Sequence, residues 1–238
     1  MILIRYREVI AGRALELGCG TGRVLGYLGM ISGQALGIDV SLAMVERCRA
    51  AYPEVEVRVG DIAQLDLAKH SFDVIFALAN VLDVFDLQMR ERVLRDIRDL
   101  LVPEGLLIFS SHNLDSVEPS GGGSSSQRRR VRHAAALLLE ATNFPPRQAP
   151  QLARRLLVRR RNRRRLAPLQ YKAEGHAMIN DQAHDFSLLH MYIQRDEQER
   201  QLKDAGYELL ECLDVDGIPV EPGTKSRAPW LHYVAAAP

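Results

Sequence analysis

Gly18, Gly20 and Gly22 are spaced two apart. They follow the apolar run Leu15-Glu16-Leu17 and precede Val24, Leu25, Tyr27 and Leu28. A strand that turns on glycines and continues into a helical pattern offers bare peptide N–H groups near a helix N-terminus, with no Cβ in the way. The chemistry this permits is close approach of a nucleotide-like ligand to backbone. The glycines alone suit an NAD enzyme or a nucleoside-binding enzyme. The dinucleotide spacing Gly-x-Gly-x-x-Gly is not met, because Arg23 stands where its third glycine would fall. Cys19 reads as a small residue inside the tight loop. With Cys48 and Cys212 it makes three isolated cysteines without metal-like pairing, which fits a reducing cytoplasm.

The elements that must hold this loop follow from apolar periodicity. Residues 14–17 form strand one and 23–28 open a helix. Residues 35–39 form strand two, ending on Asp39, and 42–51 a helix with Ser41 as N-cap. Strand three spans 55–59 and closes on Gly60-Asp61. Strand four spans 72–78 and is nearly continuously apolar, as a strand covered on both faces should be. Residues 87–101 form an amphipathic helix with Val93, Leu94, Ile97, Leu100 and Leu101 buried, and Pro103-Glu104-Gly105 turns into strand five at 106–110. This alternation predicts an α/β fold with a mostly parallel sheet and helices on both faces. Ligands on such sheets bind at the carboxyl ends of strands. Gly18, Asp39, Asp61 and residues 77–80 all fall there.

After strand five the pattern breaks. Residues 119–126 are low-complexity Gly and Ser, and helices are expected at 131–142 and 149–165. A helix over 191–205 then feeds strands at 207–213 and 231–236. The expected organisation is a cofactor-binding half at 1–111, a basic helical insertion or lid at 112–190, and completion of the sheet at 191–238. The net charge of +1 is unevenly spread: residues 127–172 hold thirteen Arg and one Lys against the single acid Glu140. Eight of those arginines lie within Arg154–Arg165, with Leu152, Leu156 and Leu157 as an expected anchoring stripe. A composition of 47% hydrophobic and 26% charged residues is that of a globular protein. No apolar run suggests a membrane span, and the first residues do not resemble a signal peptide.

The pattern Glu16-x-Gly18-x-Gly20-x-Gly22 resembles the first motif of class I S-adenosylmethionine-dependent methyltransferases. Asp39 stands where that family places an acid on the ribose hydroxyls, and Asp61-Ile62 where its adenine pocket has an acid beside an apolar residue. Phe72-Asp73-Val74-Ile75 resembles the family's fourth strand, and residues 101–107 its approach to strand five. The resemblance is dense over 11–111 and loose over 191–238. It implies a Rossmann-like, mostly parallel seven-stranded sheet with an α-helical insertion after strand five, and S-adenosylmethionine as cofactor. The cofactor contacts it implies are Glu16, Gly18, Cys19, Gly20, Gly22, Asp39, Val40, Met44, Asp61, Ile62, Ala77 and Asn80. A carboxylate at 39 can accept both ribose hydroxyls, and Ile62 and Met44 can face the adenine ring.

Transfer of a methyl from a sulfonium needs alignment and exclusion of water, and a base only when the nucleophile arrives protonated. His112, which directly follows strand five, is the first choice for that base, and His190 and Tyr192 are expected to face substrate. No zinc pattern and no carboxylate set for a divalent metal is present in the sequence. The expected function is methyl transfer to N or O of a small molecule or secondary metabolite in the cytoplasm. The alternatives are an RNA or peptide methyltransferase docking through Arg154–Arg165, an acidic carrier protein being another partner for that segment, and a cofactor-binding protein without catalysis.

Overall fold

The structure is a computed structural model that describes residues 5–32, 34–117 and 149–238. The helix expected at 131–142 and the Gly/Ser run at 119–126 lie outside the described residues. The chain forms two units. The first comprises Met1–Ser116, Ala173–Ala177 and Met191–Pro238; the second comprises Val117–Lys172 and Met178–His190. Residues 173–177 belong to the first unit.

In the first unit, helix α1 (Arg7–Ile10) leads into strand β1 (Arg13–Leu17), helix α2 (Arg23–Ile31), β2 (Gln34–Asp39), helix α3 (Leu42–Ala51) and β3 (Glu56–Val59). Strand β4 (Phe72–Ala77), helix α4 (Leu87–Leu100) and β5 (Leu101–Asn113) follow. These strands pair in parallel in the order β3-β2-β1-β4-β5. Side chains alternate across the pleat. Leu15, Leu17, Ile75, Ala77, Leu107 and Phe109 pack with Val93, Leu94 and Ile97 of α4 on one face. Ala14, Val74, Phe76, Leu106 and Ile108 pack with Ile10 and Leu28 on the other. Near-continuous apolar strands are the consequence of covering both faces.

Strand β5 is longer than its apolar run suggests. It begins at Leu101, and the expected turn at Pro103-Glu104-Gly105 is a bulge within it, where pairing shifts between Phe72↔Leu101 and Val74↔Leu106. Glu104 takes φ 63° to make the bulge. Strands β9 (Glu208–Leu213) and β10 (Trp230–Ala236) follow, with β10 antiparallel to both β5 and β9, and the described sheet counts ten strands where seven were expected. The expected helix at 191–205 is corrected. Met191–Ile193 closes a strand, β8 (His190–Ile193), and helix α6 runs only over Arg195–Asp204. A tertiary pairing decides this, because Tyr192 and Ile193 line up in parallel with His112 and Asn113 of β5. Since β10 takes one edge of β5 at His112 through Trp230, this segment takes the edge that β4 leaves after Ala77.

The second unit contains helix α5 (Ala149–Leu166), strand β6 (Tyr171–Lys172) and the short helical segment Ala183–Phe186. Strand β7 (His176–Ile179) begins in the first unit and ends in the second. No helix among the described residues is long and apolar enough to cross a membrane.

The buried hydroxyl of Tyr207 donates to the Leu94 carbonyl of α4 at 3.0 Å, tying the approach to β9 onto that helix. Tyr207→Phe keeps the ring and removes one buried hydrogen bond, so urea unfolding should show a loss of about 1 kcal/mol.

Candidate active site

The loop between β1 and α2 is built by its glycines. Gly18, Gly20 and Gly22 take φ 70°, 54° and 86°, the left-handed region that a side chain resists. The Gly18 and Cys19 amides donate to the Ile38 carbonyl at 2.7 and 3.1 Å, anchoring the loop on β2. A Cβ at Gly18 would lie 2.5 Å from Val81, and one at Gly22 2.4 Å from the Cys48 sulfur. At Gly20, by contrast, nothing lies within 4 Å of where a Cβ would stand. Packing thus demands two of the glycines, whereas the third faces open space at the carboxyl end of the sheet.

Asp39 closes this loop from the end of β2. Its Oδ2 accepts the Gly20 N–H at 2.8 Å and its Oδ1 the Ser41 N–H at 2.9 Å. Each oxygen keeps a second lone pair, so the carboxylate can still accept a pair of hydroxyls. Asp61 caps the short helix Ile62–Gln64 by accepting the Ala63 N–H at 2.9 Å. Val40, 74% exposed, and Met44, 38% exposed, offer apolar surface beside these carboxylates, and Ile62 packs partly against the core. Ala77 is fully buried in the core, so its methyl is unavailable to a ligand. Cys19 is also buried, and burial pushes its thiol up to about 12, leaving an inert small side chain.

Glu16 lies within β1, buried behind the loop, and its Oε2 has no hydrogen-bond partner among the described residues. Burial raises its pKa to about 8, against a hydrogen bond from the Leu25 amide and the charge of Arg23. An orphaned carboxyl of this kind, beside an open glycine, fits a ligand that brings positive charge. The set of carboxylates with spare acceptor capacity, the open glycine and the partnerless Glu16 oxygen fit the hydroxyls and positive charge of S-adenosylmethionine.

The second half of the site is a buried polar chain. Asp83 and Arg90 are both fully buried, with Arg90 Nη1 donating to Asp83 Oδ1 at 2.7 Å. Arg90 Nη2 also donates to Gln198 Oε1 at 2.7 Å and to Ser111 Oγ at 3.1 Å, and Ser111 Oγ donates to Asp83 at 2.6 Å. The other Asp83 oxygen lies 2.7 Å from both the backbone N and the Nδ1 of His112. A carboxylate only accepts, so Nδ1 carries the proton and the lone pair of the neutral ring sits on Nε2. Asn80, held in the left-handed region at φ 59°, places its Nδ2 3.2 Å from that Nε2. The Tyr192 ring stacks on His112 at 4.7 Å. Asn80, His112 and Tyr192, singled out separately in the sequence, thus form one cluster.

Arg90 and Gln198 were not among the expected site residues. Arg90 lies three and four residues before Val93 and Leu94, on the apolar stripe of α4. A charged residue in a buried register was the available signal. His190 belongs to the second unit, where its Nδ1 lies 3.1 Å from Asp181. In that unit His184, Asp185 and Phe186 take φ 50°, 54° and 60° in succession. Asp185 holds this strained turn by accepting from Arg155 at 2.9 Å and Arg159 at 2.8 Å, and Phe186 lies beneath Arg163 at 4.9 Å. The expected leucine stripe of α5 is corrected at Leu157, which is 67% exposed, while Leu156 is half-buried, the Leu152 side chain lies outside the described ones, and Asn162 and Leu166 are buried with Arg159 partly so. Among the described residues no group of three His, Cys, Asp or Glu side chains could hold a metal ion.

Two substitutions separate packing from ligand contact. Gly22→Ala should destabilise by about 2–5 kcal/mol through left-handed strain plus overlap with Cys48. Gly20→Ala, with open space around it, should cost only about 1–2 kcal/mol in urea unfolding. The Glu16 pKa gives a pH dependence. Its folded value stands above its unfolded value of 4.5, so its stabilising contribution is complete below that pH and is lost as pH rises toward about 8. The stability of Glu16→Gln relative to wild type should therefore increase between pH 5 and 8, by at most about 1.4 kcal/mol per pH unit.

Residues 14–105 match the methyltransferase domain family. A probable S-adenosylmethionine-dependent methyltransferase of Mycolicibacterium smegmatis is 30% identical over 116 residues, 48% of this chain and 44% of that protein. A dTDP-4-amino-2,3,4,6-tetradeoxy-D-glucose N,N-dimethyltransferase of Saccharopolyspora spinosa is 34% identical over 110 residues, 44% of this chain and 43% of that protein. The chain thus spans less than half the length of these curated relatives. S-adenosylmethionine-bound CalS10, an amino pentose methyltransferase from Micromonospora echinaspora, shares the fold. Its TM-score is 0.59 at 16% identity, covering 100% of this chain and 89% of that one. Sequence match and sheet order agree on the same stretch: residues 14–105 are similar to the methyltransferase domain, and the chain shares the fold of solved S-adenosylmethionine-dependent methyltransferases.

Proposed function

We propose that the protein transfers a methyl group from S-adenosylmethionine to a nitrogen or oxygen of a small polar molecule, with His112 taking the acceptor's proton. The observation that carries this reading is the His112 geometry: Nδ1 is fixed by buried Asp83, which puts the lone pair on Nε2, where it accepts from Asn80 Nδ2 until a methyl acceptor takes that place. S-adenosylmethionine, when bound, supplies an electrophilic methyl on a sulfonium. The glycine loop and Asp39 hold the adenosyl part, and Glu16 favours the cationic end. Asp83 keeps the imidazole in one tautomer and orientation, and Tyr192 restrains the ring by stacking. An ammonium or hydroxyl brought to Nε2 gives up one proton there, and the resulting amine or oxygen is the nucleophile for an in-line displacement. Two matched proteins named as amino-sugar methyltransferases favour an amine-bearing acceptor of sugar size.

Calorimetry with S-adenosylhomocysteine should show one site, and Asp39→Ala should weaken it by about 1–3 kcal/mol, roughly 5- to 150-fold. A protein that bound none would overturn the cofactor assignment. With labelled methyl donor and a panel of amino sugars, His112→Gln should lower kcat by about 10²-fold or more while leaving the homocysteine-product affinity unchanged. Turnover at the wild-type rate in that variant would remove His112 from the chemistry. Cofactor binding without turnover on any acceptor would favour a protein that binds but does not catalyse.

A further inference from the structure

Helix α5 has two unlike sides. At 100° per residue, Arg155, Arg159, Asn162 and Leu166 share one narrow face, and the first three make the contacts to Asp185. Arg154, Arg160, Arg161, Arg164 and Arg165 fall within an arc of roughly 140° on the opposite side. All five are exposed, and among the described residues none takes a hydrogen bond or an ion pair. The described acids of this unit are committed elsewhere, Asp185 to the inward arginines and Asp181 to His190. Arg160 and Arg164, like Arg161 and Arg165, stand four apart, where like charges repel. The helix therefore carries a repulsion that the described residues of its own unit do not relieve and a polyanion would.

We propose that this outward face binds the phosphodiester backbone of nucleic acid. Five fixed charges over a rise of about 17 Å give one per roughly 3 Å, which matches the phosphates along one strand at about one per 3.4 Å. The arginine fork matches phosphate oxygens, and no lysine shares the face. Residues 154–165 contain no aromatic side chain to stack on bases, so the contact reads charge and not sequence. A membrane surface is disfavoured, because insertion needs a broad apolar face and this arc holds only Leu157 at its centre. Nucleic-acid binding here does not depend on what the first unit methylates.

The test is fluorescence anisotropy of the full chain with a labelled 20-nucleotide RNA of mixed sequence across a salt series. Binding should fall steeply with salt, with a slope of about −3.5 for five phosphates on a single strand. A second RNA of different sequence should bind within about twofold, reflecting backbone contact alone. Replacing all five arginines by Gln should lower affinity at least about thirtyfold and flatten the slope. The triple variant Arg160→Gln, Arg161→Gln, Arg164→Gln should fall between, and exposed Arg47→Gln should change little. Circular dichroism and S-adenosylhomocysteine affinity, both unchanged, would show that the variants are folded. Absence of RNA binding by the wild type overturns the proposal. So does equal affinity for polyglutamate, tighter binding to phosphatidylserine vesicles than to RNA, or RNA binding that survives the five-residue substitution.

Discussion

Arg90 and Asp83 are both fully buried, and each makes the burial of the other tolerable. Taking either charge out of water alone would cost several kcal/mol, and their mutual attraction repays this only when the remaining donors and acceptors are also satisfied. Here Gln198, Ser111 and two nitrogens of His112 supply most of those partners. The pair links α4 to the segment Val81–Val84 after β4, to the end of β5 and to α6. A carboxylate compensated in this way can hold an imidazole in one orientation without itself moving toward solvent. The orientation of His112 follows from that one buried contact, and Tyr192 reaches it through pairing with β5.

The donor side of the site rests on a different device. Asp39 accepts two backbone amides, so a single carboxylate fixes the glycine loop and still has lone pairs for a ligand. Glu16 is left with an unpaired oxygen and a raised pKa behind the same loop. Such unrelieved burial of a titratable group is common at ligand sites. The second unit repeats this logic with opposite sign. One face of α5 spends its arginines on Asp185 and a left-handed turn, and the other leaves five guanidiniums without partners among the described residues.

The first hundred residues were legible because local and global preferences agree there. Apolar strands of four to six residues, glycines at a turn and acids at strand ends each report on the same sheet. The parallel pairing around β1 and the position of Gly18, Asp39 and Asp61 just after strands follow from that agreement. Reading was weaker where a residue's state depends on a distant partner. Residues 191–193 look helical by pattern but pair with β5, and residues 103–105 look like a turn but lie inside a strand. Leu157 looks like an anchor but faces outward, because Asp185 draws the opposite side of α5 inward.

By itself, then, the sequence determined the alternation of strands and helices, the glycine turn, the acids that end β2 and β3, and the basic character of 154–165. These are matters of spacing along one chain, where periodicity and backbone freedom speak directly. Tertiary structure alone decided that Arg90 is buried, that Asp83 orients His112, that Tyr192 stacks there, and which arginines of α5 stay exposed. The reason is physical. A buried charge is stable only through its partner, and the partners here lie between 7 and 108 residues away in the chain.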